Sequence, residues 1–505
     1  MNIPLILRTV RHLKIIQIFY QLKYRITKPV YKVCTAPDGP YGRLQTQPVS
    51  RYSSCSGTLF TFLNISRSFS GWNFTENGLL WAYNQNYFDW INQEKYSREE
   101  ACLWIDRFIT DELDCPTCSN ISLDPYPIAL RSINWVKFFC RHPECATKVR
   151  LNALYSQVML LENKLEYHLL GNHLLEDIYA LYIVSAYFND GWLMKKAKRL
   201  LMSQLKEQTL SDGAHYEQSP MYHCILLDRL LDCINIAPSE ELMIYARMQL
   251  GWLKAICYKD GTYPLFNDAA VGIAPLPKDI INYACRLGVD SEESVLGESG
   301  YRKLSSARME VFADVGNITA RYQPGHTHAD VLTYELRVNG KPFIVDTGIS
   351  TYNKDEQRQY ERSTIAHNCV VIDGRDSSEV WGGFRVGHRA KASISHETDL
   401  QIQASHDGYG AHYQRREFEI SDGTFSITDD VSGEAVGYIH FAHGVMLNSW
   451  SNEHMETDEV RMNLSNVKKI EIEEVEISSE YNKRQKALSA KLYFNQNMKL
   501  KFIAK

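Results

Sequence analysis

The sequence predicts an α+β chain of two packed domains, a helical half followed by an antiparallel β half. Three observations predict it. From about residue 75 to 290 apolar residues recur at three- and four-residue spacing, and from about residue 308 the period drops to two. Between the β runs stands Asn339-Gly340, a strong two-residue hairpin signal.

The first 33 residues hold seven basic side chains (Arg8, Arg11, Lys14, Lys23, Arg25, Lys28, Lys32) and no acidic one, with apolar residues at roughly helical spacing from Ile3 to Ile26. Two readings of this basic helical segment, residues 1–50, stay open. It is a surface-seeking amphipathic helix for a peripheral membrane or assembly-complex contact, or a helix packed on its own domain with a solvated basic face. The apolar patch Ile3 to Leu7 is too short for a signal-peptide core, and no small-residue cleavage site follows. No run reaches the ~18 apolar residues that a spanning helix needs. The expectation is a cytoplasmic protein, with the periplasm as the other compartment in play.

In the helical half, segments 151–170, 173–188, 193–209, 221–235 and 239–257 carry the helical period, separated by turn signals such as Asn189-Asp190-Gly191 and Asp260-Gly261. In the β half, Val331–Val338, Lys341–Asp346, Cys369–Ile372, Phe418–Ile420 and Phe425–Asp429 read as strands. The Lys/Glu-rich stretch 468–484 reads as solvated strand and turn. Gly, Ser and Glu cluster at 287–307, which divides the chain into domains at 51–290 and 300–505, and clefts at such a boundary are favoured ligand sites.

Composition narrows the function. At 505 residues, 44% hydrophobic and 23% charged, the chain is ordinary globular protein. Its net charge of −5 excludes a general polyanion-binding surface, so nucleic acid is not the expected partner and any acidic ligand needs a locally basic cleft. Of twelve cysteines, Cys115, Cys118, Cys140 and Cys145 form the one suggestive set, read either as zinc thiolates or as reduced, partly buried thiols.

The sharpest constellation is His326-Thr-His328-Ala-Asp330 ahead of a strand. Two histidines two apart at a strand entrance point the same way and can hold a metal, or divide metal binding and proton exchange between them. His328, Asp346 and His367 form a candidate two-His, one-carboxylate zinc site, or else hydrogen-bonded core histidines beside an acidic turn. A regular hairpin pairs Asp346 with Thr333 and leaves His328 roughly 16 Å away at ~3.3 Å per residue, so a bend or bulge is required. In the run from Asp212 to His223, Ser219-Pro220 reads as N-cap and first helical residue, placing Tyr222 in the first turn, facing a cleft or packed at the helix end. For Tyr222 to act as a base near neutrality, cationic neighbours would have to lower its pKa from ~10. In Gly171-Asn172-His173, Asn172 is placed to cap the next helix, and the amide and imidazole are placed to grip a carboxylate.

The residues at this point resemble a known family. Gly325 to Lys391, with His326-Thr-His328-Ala-Asp330, Val345-Asp346-Thr-Gly348, Tyr352, Arg362-Ser-Thr-Ile-Ala-His367-Asn368 and Trp381-Gly-Gly-Phe-Arg385, is similar to the C-terminal signature of heparinase II/III-like lyases. Gly171-Asn172-His173, Glu217-Gln-Ser-Pro-Met-Tyr222-His223, Leu80 to Asp89 and Arg131 to Trp135 resemble segments of their helical domain, in the expected order over about residues 60 to 450. The resemblance implies an incomplete (α/α) toroid followed by an antiparallel β-sandwich, with the substrate cleft between. It implies that Asn172 and His173 neutralise a uronate carboxylate, that Tyr222 and His326 transfer protons, and that His328, Asp346 and His367 bind one structural divalent metal, zinc. Glu176 would tune the site from behind, while Glu217, Asn84, Arg131 and Arg362 lie in matching segments as substrate-binding or supporting residues. The cysteine-rich stretch and the missing secretion signal depart from the family pattern.

This chemistry suits the residue types. A hydrogen α to a carboxylate is a very weak acid, so its removal from C5 of a uronate needs donors that offset the growing enediolate charge. A base and an acid must then serve C5 and the departing C4 oxygen. The expected activity is β-elimination on an acidic, uronate-containing polysaccharide, giving 4,5-unsaturated ends, on imported oligosaccharide or in capsule or exopolysaccharide metabolism. Two other classes compete: a glycoside hydrolase, for which Asp212 and Glu217 are the nearby carboxylic pair, and a non-catalytic polysaccharide-binding protein.

Overall fold

The computed structural model describes residues 3–50, 54–114 and 120–505; Cys115 and Cys118 of the four-cysteine set lie outside them. Two helices, α1 (Ile3–Val10) and α2 (Ile15–Ile26), open the chain. A small three-stranded meander over residues 55–68, which the sequence reading does not anticipate, precedes the main helical array.

That array comprises α3 (Leu79–Tyr87), α4 (Arg98–Phe108), α5 (Pro125–Arg141), α6 (Lys148–Lys164), α7 (Gly171–Phe188), α8 (Gly191–Gln208), α9 (Pro220–Ile236), α10 (Glu240–Ala255) and α11 (Pro277–Arg286). Its periodicity sorts the helices into two layers. Helix α7 buries 16 of its 18 residues, whereas α8 buries chiefly Leu193, Ala197, Leu201 and Leu205, a single stripe at four-residue spacing. The helices α3, α5, α7, α9 and α11 pack in series as an inner layer, with α6, α8 and α10 outside. This is the incomplete (α/α) toroid.

The predicted helix 151–170 stops at Lys164, because Leu165 turns to extended backbone and residues 166–170 form turns ending in a left-handed Leu170. The helices expected at 173–188, 193–209, 221–235 and 239–257 lie within two residues of observed ends.

Helix α11 ends at Arg286 and the first strand of the second domain begins at Tyr301. Four antiparallel strands (Tyr301–Ser305, Met309–Asp314, Tyr334–Val338, Lys341–Ile344) form one sheet, and nine form the other, built round three long strands, Thr424–His440, Val460–Glu480 and Lys483–Ala504. The two share one core of residues such as Val311, Leu336, Phe418, Ile427 and Phe502. This is a β-sandwich.

In the nine-stranded sheet burial alternates as period two demands, for example along Gln414–Ser421. In the four-stranded sheet Tyr334–Val338 is buried at every position, because its polar side chains meet the helical domain. Glu335 accepts from the Tyr258 hydroxyl (3.0 Å) and the Leu265 amide (2.9 Å), and Glu310 accepts from the Lys259 amide (3.2 Å). These bonds join the two domains.

The hairpin forms where Asn339-Gly340 predicts, both residues having positive φ and Val338 pairing with Lys341. A bulge follows: the register slips between Arg337–Pro342 and Leu336–Ile344, so Asp346 no longer falls opposite Thr333. The strand expected from Val331 begins at Tyr334, leaving residues 324–331 as a loop free to carry His326 and His328 inward.

Candidate active site

A cleft of about 1190 Å³ runs between toroid and sandwich, and Asn172, His173, Tyr222, His326 and Asn84 all line it. Each is positioned by a local feature of the chain. Tyr222 lies in the first turn of α9, where the Ser219 hydroxyl caps its amide (3.2 Å) and Pro220 fills the first helical position.

Asn172 does not cap α7. The N-cap position is Leu170, and Asn172 stands within the first turn. Its cap comes from elsewhere: the Glu217 carboxylate accepts from the Asn172 amide (2.9 Å) and from Asn172 Nδ2 (2.8 Å), placing a negative charge at the helix start. The second Nδ2 hydrogen points to His326 Nε2, 3.2 Å away.

His326 is held from behind. Its Nδ1 donates to Asp268 Oδ2 (2.8 Å), so the proton sits on Nδ1 and Nε2 presents a lone pair to Asn172 and the cleft. The Tyr222 ring stacks on the His326 imidazole with centroids 3.9 Å apart, and the Tyr222 and Tyr352 hydroxyls are 3.2 Å apart. Burial pushes the Tyr222 phenol upward, with Asp268 and Glu217 adding to it against the Tyr352 hydrogen bond. The lowering by cationic neighbours that a base would need is outweighed, Arg358 being the weakest of the influences. Tyr222 therefore rests as a protonated donor.

His173 is about one-third exposed, 4.8 Å from the Tyr126 ring, with Nδ1 3.0 Å from Glu166 Oε2. Burial opposes its charge, but Glu166, then Glu217 and Glu176, outweigh it and raise the imidazole above its ordinary range. The pair favours the charged imidazole at the cleft wall.

Asp268 organises the far side. One oxygen accepts from His326 Nδ1 and Arg358 Nη2 (2.7 Å), the other from His328 Nε2 (2.8 Å) and Arg358 Nη1 (2.5 Å). Burial alone would raise this carboxyl, yet Arg358 and the two histidines hold it well below the usual carboxylate range. Burial pushes His328 down to about 3 against the pull of Asp268, so the ring is neutral, with its proton on Nε2. His367 Nδ1 donates to Asp346 Oδ2 (2.7 Å), and the His328 and His367 rings lie 5.2 Å apart.

With the geometry in view, comparison with known proteins becomes specific. The heparinase II/III N-terminal profile matches residues 142–280 and the heparinase II/III-like C-terminal profile matches 290–496. The chain belongs to the heparinase II/III-like family. A heparin-sulfate lyase of Bacteroides stercoris is 23% identical over 308 residues, 54% of this chain and 45% of that protein. The chain spans about half the length of the curated relatives it matches. Among solved structures, a heparinase III superposes with a TM-score of 0.61 at 16% identity, over 86% of this chain and 80% of that one. The heparan sulfate lyase of Pedobacter heparinus gives 0.59 at 15% identity, covering 97% and 87%.

Within this heparinase II/III-like frame, two arginines stand apart from the cleft. Arg131 is sealed in the helical core, donating to Gln157 (2.7 Å), the Asn86 carbonyl (3.0 Å) and the Ser122 carbonyl (2.9 Å). It meets no substrate. Arg362, also buried, donates twice to the Thr327 carbonyl (2.7 and 3.1 Å) and so fixes the loop between the two histidines without reaching the cleft. Asn84 lines the cleft with its Nδ2 bonded to the Leu80 carbonyl (2.8 Å). Glu176 lies buried in α7, 3.5 Å from Arg229; burial lifts its carboxyl to about 7 against that arginine.

Several members of the site escape the sequence reading. Asp268, Arg358 and Glu166 are isolated charges in their segments, with no spacing signal to link them to His326 or His173. Tyr481 is another: the turn between the two longest strands carries it back to the toroid, where it packs edge-on against Tyr352 with ring centroids 5.2 Å apart. The Lys/Glu-rich stretch, read as solvated, thus carries one buried side chain at its turn, Tyr481, beside exposed Asn482 and Lys483.

Asp212, half of the alternative hydrolase pair, accepts from the Gly297 amide (2.9 Å), the Ser299 amide (3.0 Å) and the Ser299 hydroxyl (2.6 Å) and does not line the cleft. Glu217 is committed to Asn172. They do not flank a bond.

Proposed function

We propose that this chain is a polysaccharide lyase that cleaves a uronic-acid-containing polysaccharide by β-elimination, heparan sulfate being the first substrate to try in view of its relatives' names. The observation that carries the reading is the stack of Tyr222 on His326 inside a cleft that also presents Asn172, 3.2 Å from His326, and the Glu166-paired His173. Three of the carboxylates lining that cleft are committed: Asp124 to the Tyr83 hydroxyl, Glu166 to His173 and Asp228 to Arg229.

His173 and Asn172 bind the uronate carboxylate. As Asn172 turns an N–H from His326 to the substrate, His326 Nε2 is released, and with Asp268 behind it this imidazole takes the C5 proton. Tyr222, protonated at rest, donates to the departing C4 oxygen. Ultraviolet absorbance during incubation with a panel of uronate polysaccharides tests this. Wild type generates the signal of a 4,5-unsaturated product, and Tyr222→Phe and His326→Ala do not. Reducing ends without that signal would instead mean hydrolysis.

One structural divalent metal, zinc, belongs to the same proposal, held by His328 and His367 with Asp346. Supporting it, His328 Nδ1 and His367 Nε2 are buried without a hydrogen-bond partner, as is Asp330 Oδ2 nearby in sequence. His328 also gives its other nitrogen to Asp268, the usual support of a metal ligand, whereas Asp346 would have to leave His367 Nδ1 to join the metal on His367 Nε2. Among the described residues no three such donors already close on one point, so binding requires side-chain adjustment. Bound there, zinc would supply a cross-link between the loops of His328 and His367. Elemental analysis of purified protein should return about one zinc per chain, reduced in His328→Ala; a metal-free, equally heat-stable protein would refute it.

A further inference from the structure

The two opening helices are built inside out. In α2 the polar face packs on the toroid: Gln17 Nε2 donates to the Leu169 carbonyl (3.1 Å), the Tyr24 hydroxyl donates to the Leu165 carbonyl (2.6 Å), and Tyr20 stacks on Tyr167 at 4.6 Å. The opposite face, Ile15, Ile18, Phe19, Leu22 and Ile26, points to solvent, with Ile15 and Ile26 more than 80% exposed. The stripe has helical spacing, so it is one continuous surface. Helix α1 repeats the arrangement. Arg8 pairs with Glu379 and Thr9 accepts from the Trp381 indole, which fastens the helix to the sandwich, while Ile3, Leu7 and Val10 face outward.

A water-facing apolar stripe of this size normally marks an interaction site. Its charge identifies the occupant. Arg8 and Lys14 are engaged with Glu379 and Glu207, but Arg11, Lys23, Arg25 and Lys32 are exposed on the same segment, which carries no acidic residue. An apolar face on a cationic segment fits an anionic lipid surface, the apolar side chains entering the acyl boundary and the cations meeting headgroups. Among the described residues no helix is long and apolar enough to cross a membrane, in keeping with a helix that lies in the interface.

We propose that α1 and α2 dock this protein peripherally on an anionic bilayer. The same element also shapes the cleft, since Gln21, Tyr24, Thr27 and Lys28 line it from the other side of α2. Docking therefore sets the cleft beside the membrane, where a lipid-linked or nascent polysaccharide would be within reach.

Flotation of the full chain with vesicles tests this, using phosphatidylcholine alone and phosphatidylcholine with 30% phosphatidylglycerol. The expected result is flotation with the anionic vesicles, at least tenfold weaker with neutral ones and at raised salt. Phe19→Asp with Leu22→Asp should abolish it. Both side chains are exposed and lie outside the cleft, so the far-ultraviolet circular dichroism and the soluble activity should stay unchanged. Flotation equal on both vesicle types, or unaffected by the double substitution, overturns the proposal. So does loss of self-association in the double variant without any vesicle binding by wild type, which would assign the stripe to a second copy of the chain.

Discussion

Arg358 clamps Asp268 with both Nη atoms, at 2.5 and 2.7 Å, and through that single carboxylate it sets the orientation of two histidines. Since Asp268 Oδ2 fixes the His326 proton on Nδ1, the reactive nitrogen is defined by a residue that never touches the cleft's contents.

Asp268→Asn should therefore act on rate more than on binding. An amide can turn its NH2 toward His326, forcing the other tautomer and removing the lone pair from Nε2. A fall in kcat of about 10²–10⁴-fold is expected, the usual weight of one proton-transfer group, with KM little changed. The substitution also strips Arg358 of its buried counter-charge, and breaking such a pair costs about 3–5 kcal/mol. Thermal denaturation beside steady-state kinetics separates the two effects; a stable variant of normal kcat would remove Asp268 from the mechanism.

His173 makes substrate capture pH-dependent. Its folded-state pKa lies above the ordinary imidazole value, so the charge is fully present below about 6.5 and is lost as pH rises through the raised value. The stability that the Glu166 pair contributes follows the same course. KM for an acidic substrate should rise on the alkaline side, while kcat at saturation changes less. His173→Gln keeps a donor but cannot titrate: its KM should be higher at pH 6 and flat above it. A wild-type KM that is flat from pH 6 to 9 would exclude the cationic role.

Glu176 has the opposite sign. Burial lifts its carboxyl from 4.5 to about 7 in the fold, so the native state binds a proton that the unfolded chain releases. Stability then declines as pH rises from about 4.5 to about 7 and levels off beyond, by roughly 3 kcal/mol for a shift of that size. Glu176→Gln removes this decline. Arg229 keeps Asp228 (3.0 Å) and Asp232 (3.4 Å) as partners, so the variant should melt higher than wild type at pH 8 and close to it at pH 5. Equal melting temperatures at both pH values would count against a protonated Glu176.

The fold and the cleft-facing residues were legible because they are periodic or contiguous. Helical spacing marked α6 to α10, Asn339-Gly340 marked the hairpin, and Ser219-Pro220 placed Tyr222. What the sequence hid depends on distance along the chain. Glu217 caps α7 from 45 residues away, and Asp268 reaches Arg358 across 90. Arg131 and Arg362 stood as substrate-binding or supporting residues, and only packing decides between the two: their donors go to carbonyl oxygens and, for Arg131, to Gln157, so neither reaches the cleft. The bulge between Leu336 and Arg337 likewise has no local signature, although the need to bring Asp346 toward His328 demanded one.

Gly171 offers the tightest test of how the toroid builds the site. Its φ of +62° lies in the left-handed region, and a Cβ there would stand 2.2 Å from Glu217 Oε1 and 3.0 Å from Gln323 Cγ. Gly171→Ala therefore strains the backbone by about 1–2 kcal/mol and also drives Glu217 from the Asn172 amide. The helix start loses its anionic cap and Asn172 loses the bond that orients it. Both stability and kcat should fall, kcat by tenfold or more. Glu217→Gln separates the causes, because it retains an oxygen for the Asn172 amide while removing the charge: it should keep most of the stability and lose activity. If Gly171→Ala melted and turned over like wild type, the link between the α7 start and Asn172 would be wrong.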